Sequence, residues 1–317
     1  MYIPGARSRL YQVEFRPVDV VVSLYLLANL ALIGLFYERL PLYRSGLLGY
    51  TACLFFQFFI ILFVPRNEKS LVSKLHGFLR DWYPYAMTGY LYPAIGTVSY
   101  AVFPEAFDSV LISFERAVFG SDISTTFAHD YSNVFFYESM NFFYFYFYFF
   151  AFTVSYFIYK KDKLALQRFY FVLMVMIALQ FYFFTIFPTA GPKYAFSDVA
   201  GVGHLEPRGP FSWIMYHMLQ GGEIPAGAFP SSHVSITLLS CLFAQRYLGI
   251  RVAWFFWFMF AGLVVSTVYT MQHYAVDPIG GIFFAFLMYK AGNRIYDQVL
   301  AGNHAPWALK MRSKPRN

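Results

Sequence analysis

Two polar clusters interrupt apolar sequence in this 317-residue chain. In Gln272-His273-Tyr274-Ala275-Val276-Asp277 the imidazole and the carboxylate are four residues apart, so in helical geometry they share a face. A carboxylate on one ring nitrogen fixes the tautomer and raises the basicity of the other, which prepares a histidine for nucleophilic attack. Pro278 disfavours helical dihedrals at Asp277, which puts the pair in a turn or a first helical turn. In Phe229-Pro230-Ser231-Ser232-His233, two serines and a histidine open an apolar run. The free N–H groups and dipole of a helix start attract an anion, and His233 there is placed to protonate a leaving oxygen. The bland alternatives are an interfacial polar pair and an ordinary serine cap. Lys193 and Arg208, the cations of the stretch 188–231, read singly as interfacial anchors and together with the histidines as a clamp for a phosphoryl group. Glu138 and Asn141 are candidates to line the same chamber and touch a headgroup; His204, Glu206 and His217 are weaker ones. Metal binding is the main rival for two histidines and an aspartate. No H-E-x-x-H or paired C-x-x-C set occurs and the nearby cations oppose it, so neither metal nor other cofactor is expected.

Those residues need apolar helices to carry them. The composition is 58% hydrophobic, 23% aromatic and 13% charged, and mean hydropathy is +0.47. Soluble domains carry about 25% charged residues, so this chain reads as a polytopic membrane protein and not as a disordered, disulfide-stapled or cytosolic one. Cys53 and Cys241 lie in apolar runs and imply no disulfide. A span needs about 20 mostly apolar residues. Eight segments are expected to cross: 18–37, 46–64, 84–103, 134–159, 167–187, 232–249, 252–270 and 278–291. The segment 104–120 is too charged to span but has apolar residues at helical spacing, which predicts an interfacial helix. With eight spans only Arg39, Arg44, Arg116, Lys193 and Arg208, of 24 basic residues, fall opposite the termini. The positive-inside rule then makes both termini cytoplasmic and puts the two histidine clusters on the extracytoplasmic side. The net charge of +7 follows membrane side and gives no nucleic-acid signal. The expected architecture is an all-α membrane bundle of about eight helices, with residues 1–83 as two added N-terminal helices, 84–291 as the core and 292–317 as a basic cytoplasmic tail near anionic headgroups. The run 142–150 reads as an aromatic packing or lipid-facing surface. Oligomeric state leaves no mark in the sequence.

The pattern resembles the type-2 phosphatidic acid phosphatase superfamily of membrane lipid phosphatases and phosphotransferases. That family carries K-x6-RP, then PSGH, then SR-x5-H-x3-D. Here the second motif reads Pro230-Ser231-Ser232-His233, and the third reads Ser266-Thr267, five residues, His273, three residues and Asp277. Thr267 replaces the family arginine and Ser232 the glycine. The first motif is not reproduced: fourteen residues separate Lys193 from Arg208, and Gly209 follows. These departures resemble the inositol-phosphorylceramide-synthase-like branch, where FPS-x-H and QHY-x-x-D are usual. The resemblance implies a six-helix catalytic core and a phosphohistidine on His273 oriented by Asp277, with His233 as acid and then base. It also implies that Lys193, Arg208, Ser231, Ser232 and helix N–H groups hold the phosphate of a lipid substrate. The two imidazoles are expected to face each other across a gap the size of an anion. Hydrolysis of a lipid phosphate is the leading expectation, transfer to an alcohol the second, and a non-catalytic lipid-binding or transport protein the third.

Overall fold

A computed structural model describes residues 15–63, 65, 69–197, 206–219 and 225–301. Among the described residues there are twelve α-helices and no strand. They are α1 (Pro17–Phe36), α2 (Tyr43–Leu62), α3 (Leu71–Ala94), α4 (Asp108–Phe119), α5 (Ile123–Asp130), α6 (Val134–Lys161), α7 (Lys163–Ile186), α8 (Pro192–Ala195), α9 (Pro210–Leu219), α10 (Ser232–Leu248), α11 (Ile250–Tyr269) and α12 (Val276–Ala301). The chain is therefore the all-α membrane bundle that its hydropathy predicts. Arg7, Arg9, Arg66 and the basic tail 302–317 of the topology reading lie outside the described residues.

Local chemistry sets the helix ends. Asn133 accepts the Phe136 N–H (2.9 Å) to start α6, and Asp162 accepts from Leu164 (2.8 Å) and Ala165 (3.3 Å) to start α7. Gly249, at φ 90°, makes the tight link from α10 to α11. Five helices, α1 continued to Arg39, α2, α6, α7 and α11, are long and apolar enough to cross a membrane. Three segments read as spans differ in bounds or character. The segment expected at 84–103 is α3, which begins at Leu71 and ends at Ala94, with Arg80 and Asp81 inside it. Those charges are paired, so they do not end the helix: Arg80 bonds Asp19, and Asp81 meets Arg16 (2.9 Å) and Lys163 (3.5 Å). The segment expected at 278–291 extends to Ala301 as α12. The third, α10, has 17 residues and several hydroxyls because it is the inner helix, packed against α6, α7, α11 and α12. Hydroxyls there bond within the protein: Ser235 donates to Gln180 Oε1 (2.6 Å) and Thr237 to the His233 carbonyl (2.7 Å).

The expected interfacial segment is α4, and it has two stripes. Asp108, Leu111 and Glu115 are buried toward the bundle, while Val110, Phe114 and Val118 are exposed. That apolar outer stripe suits headgroup depth. The long connection 188–231 is not structureless: it contains α8 and α9, and α9 packs Met215 against Tyr144 and Leu263.

Candidate active site

The site forms where α10 starts and α11 hands over to α12. Ser231 caps α10 through the Val234 N–H (3.3 Å), so the first-turn N–H groups of α10 lie outside the helix ladder. The turn after α11 is closed by one carbonyl: Thr267 O accepts from both Gln272 N and His273 N at 3.1 Å. Met271 adopts φ 60° to make that reversal. Asp277 is the second residue of α12, and its carboxylate accepts the Tyr274 N–H (2.8 Å) while its carbonyl accepts the Ser231 N–H (3.1 Å). The two motif segments are thus tied backbone to backbone. Gly281 permits this closeness, because a Cβ there would lie 2.6 Å from the Ser231 carbonyl oxygen.

Both imidazoles are buried and touch. His273 Nε2 lies 3.2 Å from His233 Nδ1 and 3.0 Å from Ser231 Oγ. The ring centroids are 5.3 Å apart at 71°, so no anion-sized gap separates them; the rings meet directly. On the other side, His273 Nδ1 lies 2.8 Å from the Ala228 carbonyl and 3.2 Å from Asp277 Oδ2. A carbonyl only accepts, which assigns the proton to Nδ1 and the lone pair to Nε2. In the same scheme His233 Nδ1–H donates to His273, and the Tyr144 hydroxyl donates to His233 Nε2 (3.0 Å). Burial holds the His273 imidazolium down at a pKa of about 4, against which the Ala228 contact works, so the ring is neutral at pH 7.

The remaining sequence candidates divide. Ser231 is at the site and Ser232 lines the cavity beside it. Lys193 is held close to the histidine turn, its N–H donating to the Met271 carbonyl (3.0 Å), with its ammonium 5.8 Å from the Tyr194 ring. Arg208 is directed elsewhere. It donates to the Ser132 carbonyl (2.6 Å) and lies over the Tyr137 ring (4.9 Å), about 10 Å along α6 from Tyr144 by helix rise. Glu138 is not free to meet a headgroup: its oxygens accept the Phe211 (2.8 Å) and Ser212 (3.2 Å) N–H groups that start α9. Asn141 is buried, donating to the Tyr137 carbonyl (2.9 Å), on the α6 face that holds Tyr144. His217 packs on Trp213, Glu206 offers its carbonyl to Tyr137, and His204 lies outside the described residues. Thr267 is fully buried and bonds its own helix at Val264 (2.8 Å), so its side chain offers nothing to an anion. Among the described residues no group of three His, Cys, Asp or Glu side chains is placed to hold a metal.

Sequence reading missed two parts. Tyr144 lies in the aromatic run 142–150, and the available signal was the spacing of Tyr137, Asn141, Tyr144 and Tyr148, which puts four polar-tipped residues on one helix face. The other is the pair of acids on α4, a helix that was expected but whose carboxylates were not. Asp108 accepts from Ala190 N (2.7 Å), Gly191 N (2.8 Å) and the Tyr274 hydroxyl (2.7 Å), and Glu115 accepts from Ala275 N (2.8 Å). Two acids on α4 thereby hold the loop before Lys193 and the turn around His273. Burial, with Asp277 and Asp122 nearby, pushes the Glu115 carboxyl up to about 7, against the Ala275 N–H and Arg116.

No curated protein and no solved structure matches the chain. Residues 109–291, more than half of it, match the PAP2 superfamily, and both histidine motifs lie inside that stretch. The match identifies the superfamily of type-2 phosphatidic acid phosphatases and stops short of a branch within it. With the motif histidines meeting at the start of a buried helix, and the family sequence running through every element that carries them, the chain belongs to the PAP2 superfamily.

Proposed function

We propose that the protein is a membrane-embedded, metal-independent lipid phosphate phosphatase acting through a phosphohistidine on the extracytoplasmic face. The observation that carries this reading is the protonation pattern around His273. Its Nδ1–H is committed to Ala228 and Asp277, which leaves the Nε2 lone pair facing Ser231, His233 and the start of α10. With the phosphate bound, His233 acts as the imidazolium, its Nε2–H turned to the Tyr144 oxygen; His273 Nε2 attacks phosphorus while the bond to the lipid oxygen breaks, and that oxygen takes the Nδ1 proton of His233, which is left neutral. Water then gives a proton to His233 and attacks, releasing inorganic phosphate and His273. The α10 N–H groups, Ser231, Ser232 and Lys193 face the equatorial oxygens, and Arg208 guards the outer end of α6. Phosphoryl transfer depends largely on such positioning and electrostatics. Brief exposure of the purified protein to a radiolabelled lipid phosphate tests the reading. An acid-labile label should form on the wild type, and His273→Ala should lose it along with about 10⁴-fold or more in turnover. Turnover retained in that variant overturns the mechanism.

One observation favours a second reading, transfer to an alcohol. His233 is 5% exposed and lines an apolar cavity together with Tyr92, Tyr144 and Phe147, so an alcohol on a lipid chain has the access to this base that water has. Product analysis with a labelled phospholipid diester and candidate alcohols separates the readings: a new phosphodiester marks transfer, and a phosphomonoester marks hydrolysis.

A further inference from the structure

A cavity of about 350 Å³ begins at Ser232, His233 and Gln272 and runs inward between α3, α6 and α7. Its polar end is the α10 start; its inner wall is Ala151, Leu173, Ile177 and Phe181. From Phe181 to Leu173 the wall is about 12 Å deep by helix rise. The floor is aromatic. Trp82 and Tyr85 of α3 pack on Phe152 of α6 at 5.4 and 6.1 Å, and Tyr85 stacks on Tyr170 at 6.4 Å. Above that plug, Thr88, Gly89 and Tyr92 of α3 face Tyr144, Phe147 and Tyr148 of α6 across the cavity, and Gly89 is exposed at its α3 edge.

The α3 wall has a notch. Gly89 lines the cavity, and a Cβ built there meets no heavy atom within 4 Å. The whole of α3 precedes residue 109, so this wall lies outside the stretch that matches the superfamily.

The cavity is lined by His233 and not by His273. In an in-line displacement the leaving oxygen departs opposite the nucleophile. With His273 attacking and His233 protonating, the leaving group and whatever it carries must extend on the His233 side. We infer that this cavity is a tail-binding site for one hydrocarbon chain of the leaving lipid alcohol, and that α3, through Gly89 and the Tyr85 floor, sets which chain lengths are accepted. The inference rests on the phosphatase reading. The volume, near the lower end of the roughly 300–1,000 Å³ of small-ligand sites, suits a single chain.

The test compares dodecyl phosphate with butyl phosphate on the purified full chain. In Gly89→Phe the ratio of kcat/KM for the long over the short substrate should fall at least tenfold, and in Tyr85→Ala it should rise for chains longer than dodecyl. Gly34→Phe, at an equally open position on α1, should leave the ratio as in the wild type. A ratio unchanged in Gly89→Phe overturns the inference. If the wild type turns over neither substrate, the phosphatase reading fails and the cavity is still tested, by binding of dodecylphosphonate against butylphosphonate. Wild-type binding that tightens with chain length and is lost in Gly89→Phe keeps the tail site; binding indifferent to chain length or to Gly89 removes it.

Discussion

The molecule buries two clusters of charged and polar groups, at opposite ends of the bundle, and they differ in completeness. At one end Asp19 is fully buried and saturated: its carboxylate accepts from the Arg16 N–H (2.6 Å), from Arg80 Nη1 (2.8 Å) and from the Tyr83 hydroxyl. Its carbonyl takes Gln57 Nε2 (2.7 Å), and Arg16 Nη1 reaches the Arg80 carbonyl (2.8 Å). At the other end Asp277 Oδ1 and Glu115 Oε2 are buried with no hydrogen-bond partner among the described residues. A buried polar atom left unpaired costs about 1–3 kcal/mol, more if charged. The saturated cluster spends its chemistry on joining α1, α2 and α3; the unsaturated one tolerates a cost beside two touching imidazoles. Unpaired atoms alone do not mark the site, since Trp82 Nε1 and Tyr170 Oη beside the clamp are, among the described residues, unpaired too; what sets the second cluster apart is that its unpaired atoms are carboxylate oxygens next to two touching imidazoles.

Four substitutions break or sharpen this contrast. The largest effect belongs to His273→Ala, whose loss in turnover should far exceed its modest cost in stability in detergent, about 1–3 kcal/mol from the partners it leaves unpaired. Asp19→Ala should do the reverse. It strands the buried Arg80 guanidinium, a change worth about 3–5 kcal/mol in stability, while turnover per folded molecule stays as in the wild type. Parallel denaturation and activity measurements read both, and an Asp19 variant that melts normally would show the clamp to be dispensable. Tyr144→Phe removes one hydrogen bond to His233, worth about 0.5–1.5 kcal/mol, so kcat should fall up to about tenfold with KM little changed. A larger change in KM than in kcat would assign Tyr144 to substrate binding instead.

Glu115→Gln gives the smallest effect and the most specific one. The folded pKa of Glu115 is raised to about 7 from 4.5, so the protonated form is favoured by folding. Its stabilising contribution is complete below about pH 4.5 and is lost as pH rises through 7. The variant should therefore lack that decline, gain on the wild type between about pH 4.5 and 7 and hold the difference above it, as unfolding temperatures measured from pH 4 to 8 would register. Parallel curves for both proteins would place the carboxyl in an ordinary environment.

Much of this was legible in residue order. His233, His273, Asp277 and Ser231 meet because motif spacing fixes which helix ends they occupy, and helix ends are what hydropathy locates well. Glu138 and Arg208 were not legible, since their partners, the start of α9 and Ser132 with Tyr137, are set by folding of a polar connection that hydropathy leaves blank. The α3 boundary escaped for a related reason: Arg80 and Asp81 look excluded from a membrane helix until Asp19, Arg16 and Lys163 neutralise them. Tyr144 was hidden by company, a phenol among phenyl rings of equal apolar weight.

The two carboxylate oxygens of Asp108 bind two separate strands of chain, Ala190 and Gly191 on one side and Tyr274 on the other, from a helix whose outer stripe is greasy. A shift of α4 would therefore be felt at once on both sides of the histidine turn, in the chain before Lys193 and, through the Tyr274 hydroxyl and the Glu115–Ala275 bond, in the turn that carries His273.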